Sequence, residues 1–599
     1  MLLLATPAAP APVDLWDMTE VRKQPLDVEQ VGAPRKAPLV VAGAADWMNT
    51  GDGWVAGKKG APAPAAAKPA SGDEQLLVEE LFISSENSPA GPNRIFCAVA
   101  RPEKAAGPVP VVLIFHGGGG HASGALALAA ARRHPGMAGV AIDYNGQFMP
   151  GPKGKVTQWK NVPHDRTFDL VPNLQNWPMW HNVTAARRMI DFLETQPWAD
   201  KNRIGAVGIS YGGWVALLLA GVDERVKCVT TGVSAGGAGL TSGRAAQQLR
   251  WEPAEQRALW LANYEPLAHA PRTKAAVFFQ LAANDLFFWL NGAAQNLAAL
   301  PGEKGWVLRP NSNHGAGGPE VPDTAAPAFM RHVLLGEPAL PQVSALQVSD
   351  DGLRYTWQAT GPRALTRAVL NWSPGKAVSP ARYWMECPAT REGDTWSAQV
   401  PAEFGKCAAQ AFVNIGDERG LVVSSTLLVR DGLDPMTAAG PSWRGGQLWD
   451  TERGAAAWRT PAGWLPKTVF EFAPPTGLKL GPDKGGKEFA LVSNSAILAS
   501  GVAAQHKGLQ LRIHGHGAAG VLKITLLRDT NSLDERAYTA EIAYAAASAL
   551  FDLPWSAFKL TTRSVTAPPL PCPFDGLAFS GTRENGQPLT IEAATLLPP

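Results

Sequence analysis

Residues 203–221 read RIGAVGISYGGWVALLLAG. The first half is a short run of small and apolar residues with strand character. The second half, from Trp214 onward, is an apolar run of good helix formers. Between them lies Gly208-Ile209-Ser210-Tyr211-Gly212-Gly213, a Gly-x-Ser-x-Gly motif set at a strand-to-helix turn. So sharp a turn holds its central residue in a strained backbone conformation, and side chains at the flanking positions would collide, which is why they are glycines. The helix start beside it favours developing negative charge. The motif alone arises by chance in many chains; the strand before it and the helix after it make Ser210 a candidate nucleophile.

Outward from this turn, short buried-strand runs alternate with helix-length segments: VVLIF (111–115), GVAID (139–143), RVKCVTT (225–231), AAVFFQL (275–281) and GWVLR (305–309). That alternation predicts a mainly parallel sheet with helices on both faces, an α/β domain over residues 76–338. The clearest helix begins near Trp180, with Val183, Ala186, Ile190 and Leu193 at helical spacing and Arg187, Arg188 and Glu194 between them. Residues 339–435 change rhythm to GLRYTWQA, DTWSAQVP and GLVVSSTLLV, separated by turn residues, and predict an Ig- or fibronectin-like β-sandwich. Residues 436–599, with LQLRIHG, VLKITLLRD, AYTAEIAYA and PLTIEAATL, predict a second, jelly-roll-like sandwich. Residues 1–75 are rich in Ala, Pro, Gly and Lys and predict a flexible lead-in.

A serine hydroxyl becomes a useful nucleophile only when a base takes its proton, and the base needs an acid to orient it. Asp285 follows the strand AAVFFQL in AANDLFF, and His314 follows GWVLR in RPNSNHGAGG. Both lie just beyond carboxyl ends of strands, where an open α/β sheet gathers its site, and in the chain order serine, acid, histidine. The plainer readings are a turn-capping Asp285 and an ordinary loop His314; shared position and order favour the triad. His116 and His121 bracket Gly117–Gly120 after VVLIF. Glycines there let backbone amides face an oxyanion, so the amides of Tyr211 and Gly118 are the candidate donors, with Gly117 or Gly119 as alternatives. A glycine-rich turn without a chemical part is the plainer reading of that loop.

Taken together, HGGGG, GISYGG, the Asn284-Asp285 pair and the NHG around His314 resemble the α/β-hydrolase superfamily over residues 76–338, nearest to acetyl xylan esterases and dienelactone-hydrolase-like enzymes. The resemblance implies a serine esterase acting on an acetyl or aromatic ester of a plant polysaccharide, or on a small ester, without metal or organic cofactor. Dienelactone hydrolases proper use a cysteine at the elbow, so Ser210 counts against a lactone. Ser-Tyr-Gly-Gly also resembles prolyl- and dipeptidyl-type serine peptidases, which form the alternative reading. A glycan-binding surface protein with a retired hydrolase core is a further alternative, against which an intact triad argues.

The connection from Asp143 to Trp180 far exceeds the usual strand-to-helix link and is placed to cover the site. Trp159, Phe168, Trp177 and Trp180 are candidates to stack on a sugar or aromatic acid, and Lys160 and Arg166 to meet a carboxylate; a loop packed by its own aromatics is the plainer reading. Tryptophan is abundant, 21 against 7 tyrosines, and in the β domains it is more often core than sugar platform.

Composition narrows the rest. With 54 basic against 52 acidic residues and no long like-charge run, nucleic acid is an unfavoured partner. No apolar run reaches the ~18 residues of a membrane span. MLLLATPAAPAPVDLW at the start resembles the tail of a secretory signal, which points to a secreted or periplasmic protein. Five cysteines without Cys-x-x-Cys spacing do not suggest zinc, and Cys387 and Cys407 could bridge a hairpin.

Overall fold

The computed structural model describes residues 15–39, 75–144, 151–160, 162, 170, 173–241, 243, 245, 249, 252–310, 312, 314–315, 321, 323–374, 379, 382, 384–402, 405, 407–432, 458–459, 468–473, 477–483, 486–493, 506–529, 535–560 and 576–597. A short helix α1 (Thr19–Arg22) and strands β1 (Glu29–Gln30) and β2 (Arg35–Pro38) open the chain. They precede the long hairpin β3 (Gln75–Ser88) and β4 (Gly91–Pro102) and the strand β5 (Val109–Phe115). Helix α2 (Gly124–Arg133), β6 (Ala138–Ile142), α3 (Pro178–Glu194), β7 (Ala199–Ile209), α4 (Tyr211–Val222) and β8 (Val226–Gly232) follow. After helices α5 (Ala254–Asn263) and α6 (Pro266–His269) come β9 (Ala276–Ala282), α7 (Leu290–Ala299), β10 (Lys304–Arg309) and α8 (Ala325–Leu335).

These strands form one ten-stranded sheet of order β1-β3-β4-β6-β5-β7-β8-β9-β10, with β2 also on β3. From β6 to β10 all pairings are parallel, while β3 and β4 are antiparallel. Every predicted run of the α/β domain is a strand of this sheet. The parallel strands are buried on both faces, as in β6 (AGVAI) and β9 (AVFFQLA), which explains why they read as continuous rather than alternating apolar runs.

The lead-in, expected to be flexible, is folded in part. Residues 1–14 and 40–74 lie outside the described residues, but residues 15–39 carry α1 and the two strands that pair with β3, and Leu15 and Trp16 are buried in the main core. This segment straps α3. Arg187 donates to the carbonyl of Trp16, Arg188 to that of Gln24, and the Trp180 indole to that of Leu15. Arg187 and Arg188 are therefore buried and paired, although periodicity placed them off the apolar face. A buried guanidinium needs its donors satisfied, and the strap's carbonyls do this.

Residues 342–430 form two five-stranded antiparallel sheets, one around Arg354–Thr360 and Thr395–Gln399, the other around Leu365–Pro374 and Ala409–Asp417. Tyr355, Trp357 and Ala359 alternate inward along one strand. Cys387 and Cys407 are both buried thiols, not a disulfide. Trp372, Trp384 and Trp396 are core residues, whereas Trp443, Trp449 and Trp464 and the side chain of Trp458 lie outside the described residues. This first sandwich shares its core with the α/β domain, since Phe278, Val307, Phe329 and Met330 cluster with Tyr355, Trp357 and Trp372. The last sandwich is a six-stranded and a five-stranded antiparallel sheet around a core of its own, drawn from residues 478–596. Among the described residues no helix is long and apolar enough to cross a membrane.

Candidate active site

The site is built at the carboxyl end of the parallel strands, from the turn that joins β7 to α4. Ser210 sits there at φ 53° and ψ −119°. A non-glycine residue at positive φ costs about 1–3 kcal/mol and persists only where its surroundings hold it. Those surroundings are visible. The Ser210 amide donates to Gly232 O at 2.9 Å, tying the elbow to the end of β8. A Cβ on Gly208 would stand 2.2 Å from Gly212 O, and one on Gly212 would stand 2.4 Å from the carbonyl oxygens of Phe115 and His116. Both glycines are required by close backbone approach. Val233, next to Gly232, is also at positive φ (45°), unusual for a β-branched residue, so strained backbone flanks the elbow on two strands.

The loops after β9 and β10 bring the partners in. His314 Nε2 lies 2.9 Å from Ser210 Oγ, and His314 Nδ1 lies 2.8 Å and 3.0 Å from the two carboxylate oxygens of Asp285. With the imidazole proton on Nδ1, that N–H donates to Asp285 and Nε2 accepts from the serine hydroxyl. Asp285 is fully buried, and its Oδ1 also accepts the amides of Phe287 and Phe288 at 2.7 Å and 3.2 Å. The rings of Phe287 and Phe288 flank His314, at 4.6 Å and 6.1 Å between centroids, and shelter its hydrogen bond to Asp285 from water. Ser210, expected from its motif, and Asp285 and His314, expected from strand-end position and chain order, thus stand in hydrogen-bonding series.

Across the elbow runs the loop Gly117–Gly120. A Cβ on Gly118 would be 3.6 Å from Tyr211 Cβ, so Gly118 lies alongside the first residue of α4. His116 Nδ1 lies 2.8 Å from Gly117 O, and the imidazole stacks on Tyr144 at 3.9 Å. Asp143, fully buried at the end of β6, accepts the amides of Ala122 and Thr157. Burial pushes the Asp143 carboxyl up, but the His116 ring 3.6 Å away and the Thr157 hydrogen bonds outweigh it and hold it below the usual carboxylate range. Burial drives the Tyr144 phenol well above its ordinary value. Asp143 therefore braces the glycine loop and the long connection. Asn182, on α3, donates to the Tyr211 hydroxyl at 3.0 Å.

Residues 86–234 match the acetyl xylan esterase family model, and residues 184–326 match that of the prolyl oligopeptidase family. The first span holds the glycine loop and the elbow, and the second holds the elbow, Asp285 and His314. The first domain has an α/β-hydrolase-like fold and resembles the acetyl xylan esterases. No curated protein matches the chain. Among solved structures, the acetyl xylan esterase from Paenibacillus sp. R4 is 17% identical over 52% of this chain and 92% of that one, with a TM-score of 0.38. An acetyl xylan esterase from a Thermoanaerobacterium species is 16% identical over 51% and 90%, TM-score 0.36. A puromycin-hydrolyzing peptidase from Mycobacterium tuberculosis is 18% identical over 46% and 41%, TM-score 0.33.

The residues proposed for substrate contact fare differently. Arg166 and Phe168 lie outside the described residues. Trp159, Trp177 and Trp180 are buried, at 3%, 3% and 8% exposure, and offer no open face for a sugar. The Trp159 indole donates to Tyr144 O, Trp180 to Leu15 O, and Trp177 packs edge-on against Tyr264 and Trp260. Their large apolar area is used in packing, Trp159 beside His181 of α3, Trp177 against Trp260 and Tyr264, and Trp180 under Leu15. Residues that sequence reasoning missed include Asn182, Phe287 and Phe288; proximity in sequence to Asp285 was the only signal for the phenylalanines.

Proposed function

We propose that the chain hydrolyses a carboxylic ester through an acyl-enzyme on Ser210. The observation that carries this reading is the unbroken series Ser210–His314–Asp285 at a strained elbow. In it His314 Nε2 takes the hydroxyl proton as Ser210 Oγ attacks the acyl carbonyl. Asp285 holds the imidazole in register and stabilises the imidazolium. The amides of Tyr211 and Gly118 receive the oxyanion, and His314 returns the proton to the departing alcohol. Water then repeats the sequence on the acyl-enzyme, with His314 as base again.

An acetyl or aromatic ester of a plant polysaccharide is the favoured substrate, supported by the family match over residues 86–234, and an extracytoplasmic location suits it. The second reading, a prolyl- or dipeptidyl-type peptidase, is favoured by the match over residues 184–326. Hydrolysis of p-nitrophenyl acetate, compared between the intact chain and Ser210→Ala, tests the chemistry; full activity in the variant would remove Ser210 from it. Acetylated xylan set against a prolyl-dipeptide anilide separates esterase from peptidase.

A further inference from the structure

The residue before the triad acid is anchored outside the α/β domain. Asn284 is fully buried, and its side-chain amide donates to two backbone carbonyls of the first sandwich, Arg382 O at 2.6 Å and Ser379 O at 3.0 Å. Its backbone N–H donates to Ser312 O at 3.0 Å, two residues before His314. One residue therefore joins three things: the sandwich, the acid loop and the histidine loop. The sandwich side is itself fixed. Arg382 is buried and donates to Ser373 O at 3.2 Å, and the Ser379 hydroxyl donates to Asn291 at the start of α7. Trp384 and Phe412 of the sandwich are fully buried within the core of the α/β domain, 4.8 Å apart.

From these contacts we infer that the first sandwich is a working part of the hydrolytic centre, and that Asn284 is a positioning residue through which the carbonyls of Ser379 and Arg382 set Asp285 against His314. The inference rests on the ester-hydrolysing reading of Ser210. Asparagine is chemically suited to the place. It presents two donors to two carbonyls, whereas aspartate would present only acceptors and alanine would remove both of these side-chain donors from a dry interior. The carboxylate of Asp285 is one residue away, so tilting the Asn284 backbone moves it relative to Nδ1 of His314. A displacement of about 1 Å in a reacting group is worth roughly a hundredfold in rate. A mere domain contact would behave differently: losing it would lower stability and leave turnover per folded site unchanged.

The test uses the full chain, with active sites counted by stoichiometric labelling of Ser210 with a fluorophosphonate and turnover read on p-nitrophenyl acetate. Asn284→Ala, Arg382→Met and the double variant are compared, each checked by circular dichroism. We expect kcat per labelled site to fall roughly 10- to 100-fold in each single variant, with KM little changed. The double variant is expected to fall no further than the worse single, because both act through one link. If Asn284→Ala does not fold, Asn284→Ser, which keeps a single hydroxyl donor there, is read in its place. Single variants that fold and keep kcat within about twofold of the parent would overturn the inference. Hydrolysis that depends on Ser210 but on neither Asn284 nor Arg382 defeats this inference alone; hydrolysis that survives Ser210→Ala defeats the ester reading beneath it.

Discussion

His314 Nδ1 is shared between both oxygens of Asp285, at 2.8 Å and 3.0 Å, while one of those oxygens also takes the amide of Phe287 at 2.7 Å. The carboxylate is thus held from behind by its own loop. Asp285→Asn keeps the shape and one acceptor but loses the charge and the preferred imidazole tautomer. A fall in kcat of about ten-thousandfold is expected, with the melting temperature little altered. Steady-state kinetics beside a thermal melt would show whether the two effects separate in this way.

Gly212 leaves no space for a methyl group, since its Cβ would lie 2.4 Å from two carbonyl oxygens. Gly212→Ala should force β5 and α4 apart, cost about 1–3 kcal/mol in denaturant unfolding and abolish most activity. An active, fully stable Gly212→Ala chain would mean that the elbow is softer than its geometry implies.

Tyr211 is assigned its part through its backbone amide, and its hydroxyl is engaged by Asn182. Tyr211→Phe should therefore keep turnover within about tenfold of the parent, because removing an oxyanion donor itself costs a hundredfold or more, on the order of 10²–10³. A loss of that larger size would move the phenol into the chemistry.

Trp384 is fully buried at the junction of the α/β domain and the first sandwich. Trp384→Ala should destabilise the chain by about 3–5 kcal/mol. Because the two regions share one core, activity and the sandwich's unfolding signal should be lost in the same thermal transition. Calorimetry resolving two transitions, with the hydrolase intact after the first, would contradict a shared core.

His134, at the end of α2, is buried, and its pKa is lowered from 6.5 to about 3 by burial and then by Arg133 and Arg331. Folded, it stays neutral where the unfolded chain takes up a proton. Its stabilising contribution is complete above about pH 6.5 and is lost progressively as pH falls toward 3, by up to about 1.4 kcal/mol per pH unit. His269, lowered to about 4, acts in the same direction. His134→Gln should flatten the fall in stability over that window, as read from denaturant midpoints at successive pH values.

Much of the α/β domain was legible because its strands are buried on both faces and announce themselves as unbroken apolar runs. Ser210, Asp285 and His314 were legible for a related reason: each follows such a run directly. What escaped notice depends on partners distant in the chain. The strap at residues 15–39 has no periodicity of its own, and Trp16 is core only because Tyr264 and His269 receive its ring. Arg187 and Arg188 read as surface charges until the strap's carbonyls cover them. Trp159, Trp177 and Trp180 stayed open in the sequence between platform and packing, and partners distant in the chain, such as Tyr264 for Trp177 and Leu15 for Trp180, decide their place. Likewise Asn284 carries no mark in the local sequence of the sandwich residues that grip it nearly 100 positions later.

The same junction governs how the chain meets others of its kind. On one side the ten-stranded sheet ends at β10, whose outward backbone groups at Leu308 are taken by the Ser424 hydroxyl and the Asn414 amide of the first sandwich. On the other side lie β1 and β2, two and four residues long. An uncovered edge strand is a template on which a neighbouring chain can add its own. Here one edge is capped at Leu308 and the other is too short to extend far, so the first sandwich also guards the largest sheet among the described residues against strand-by-strand aggregation.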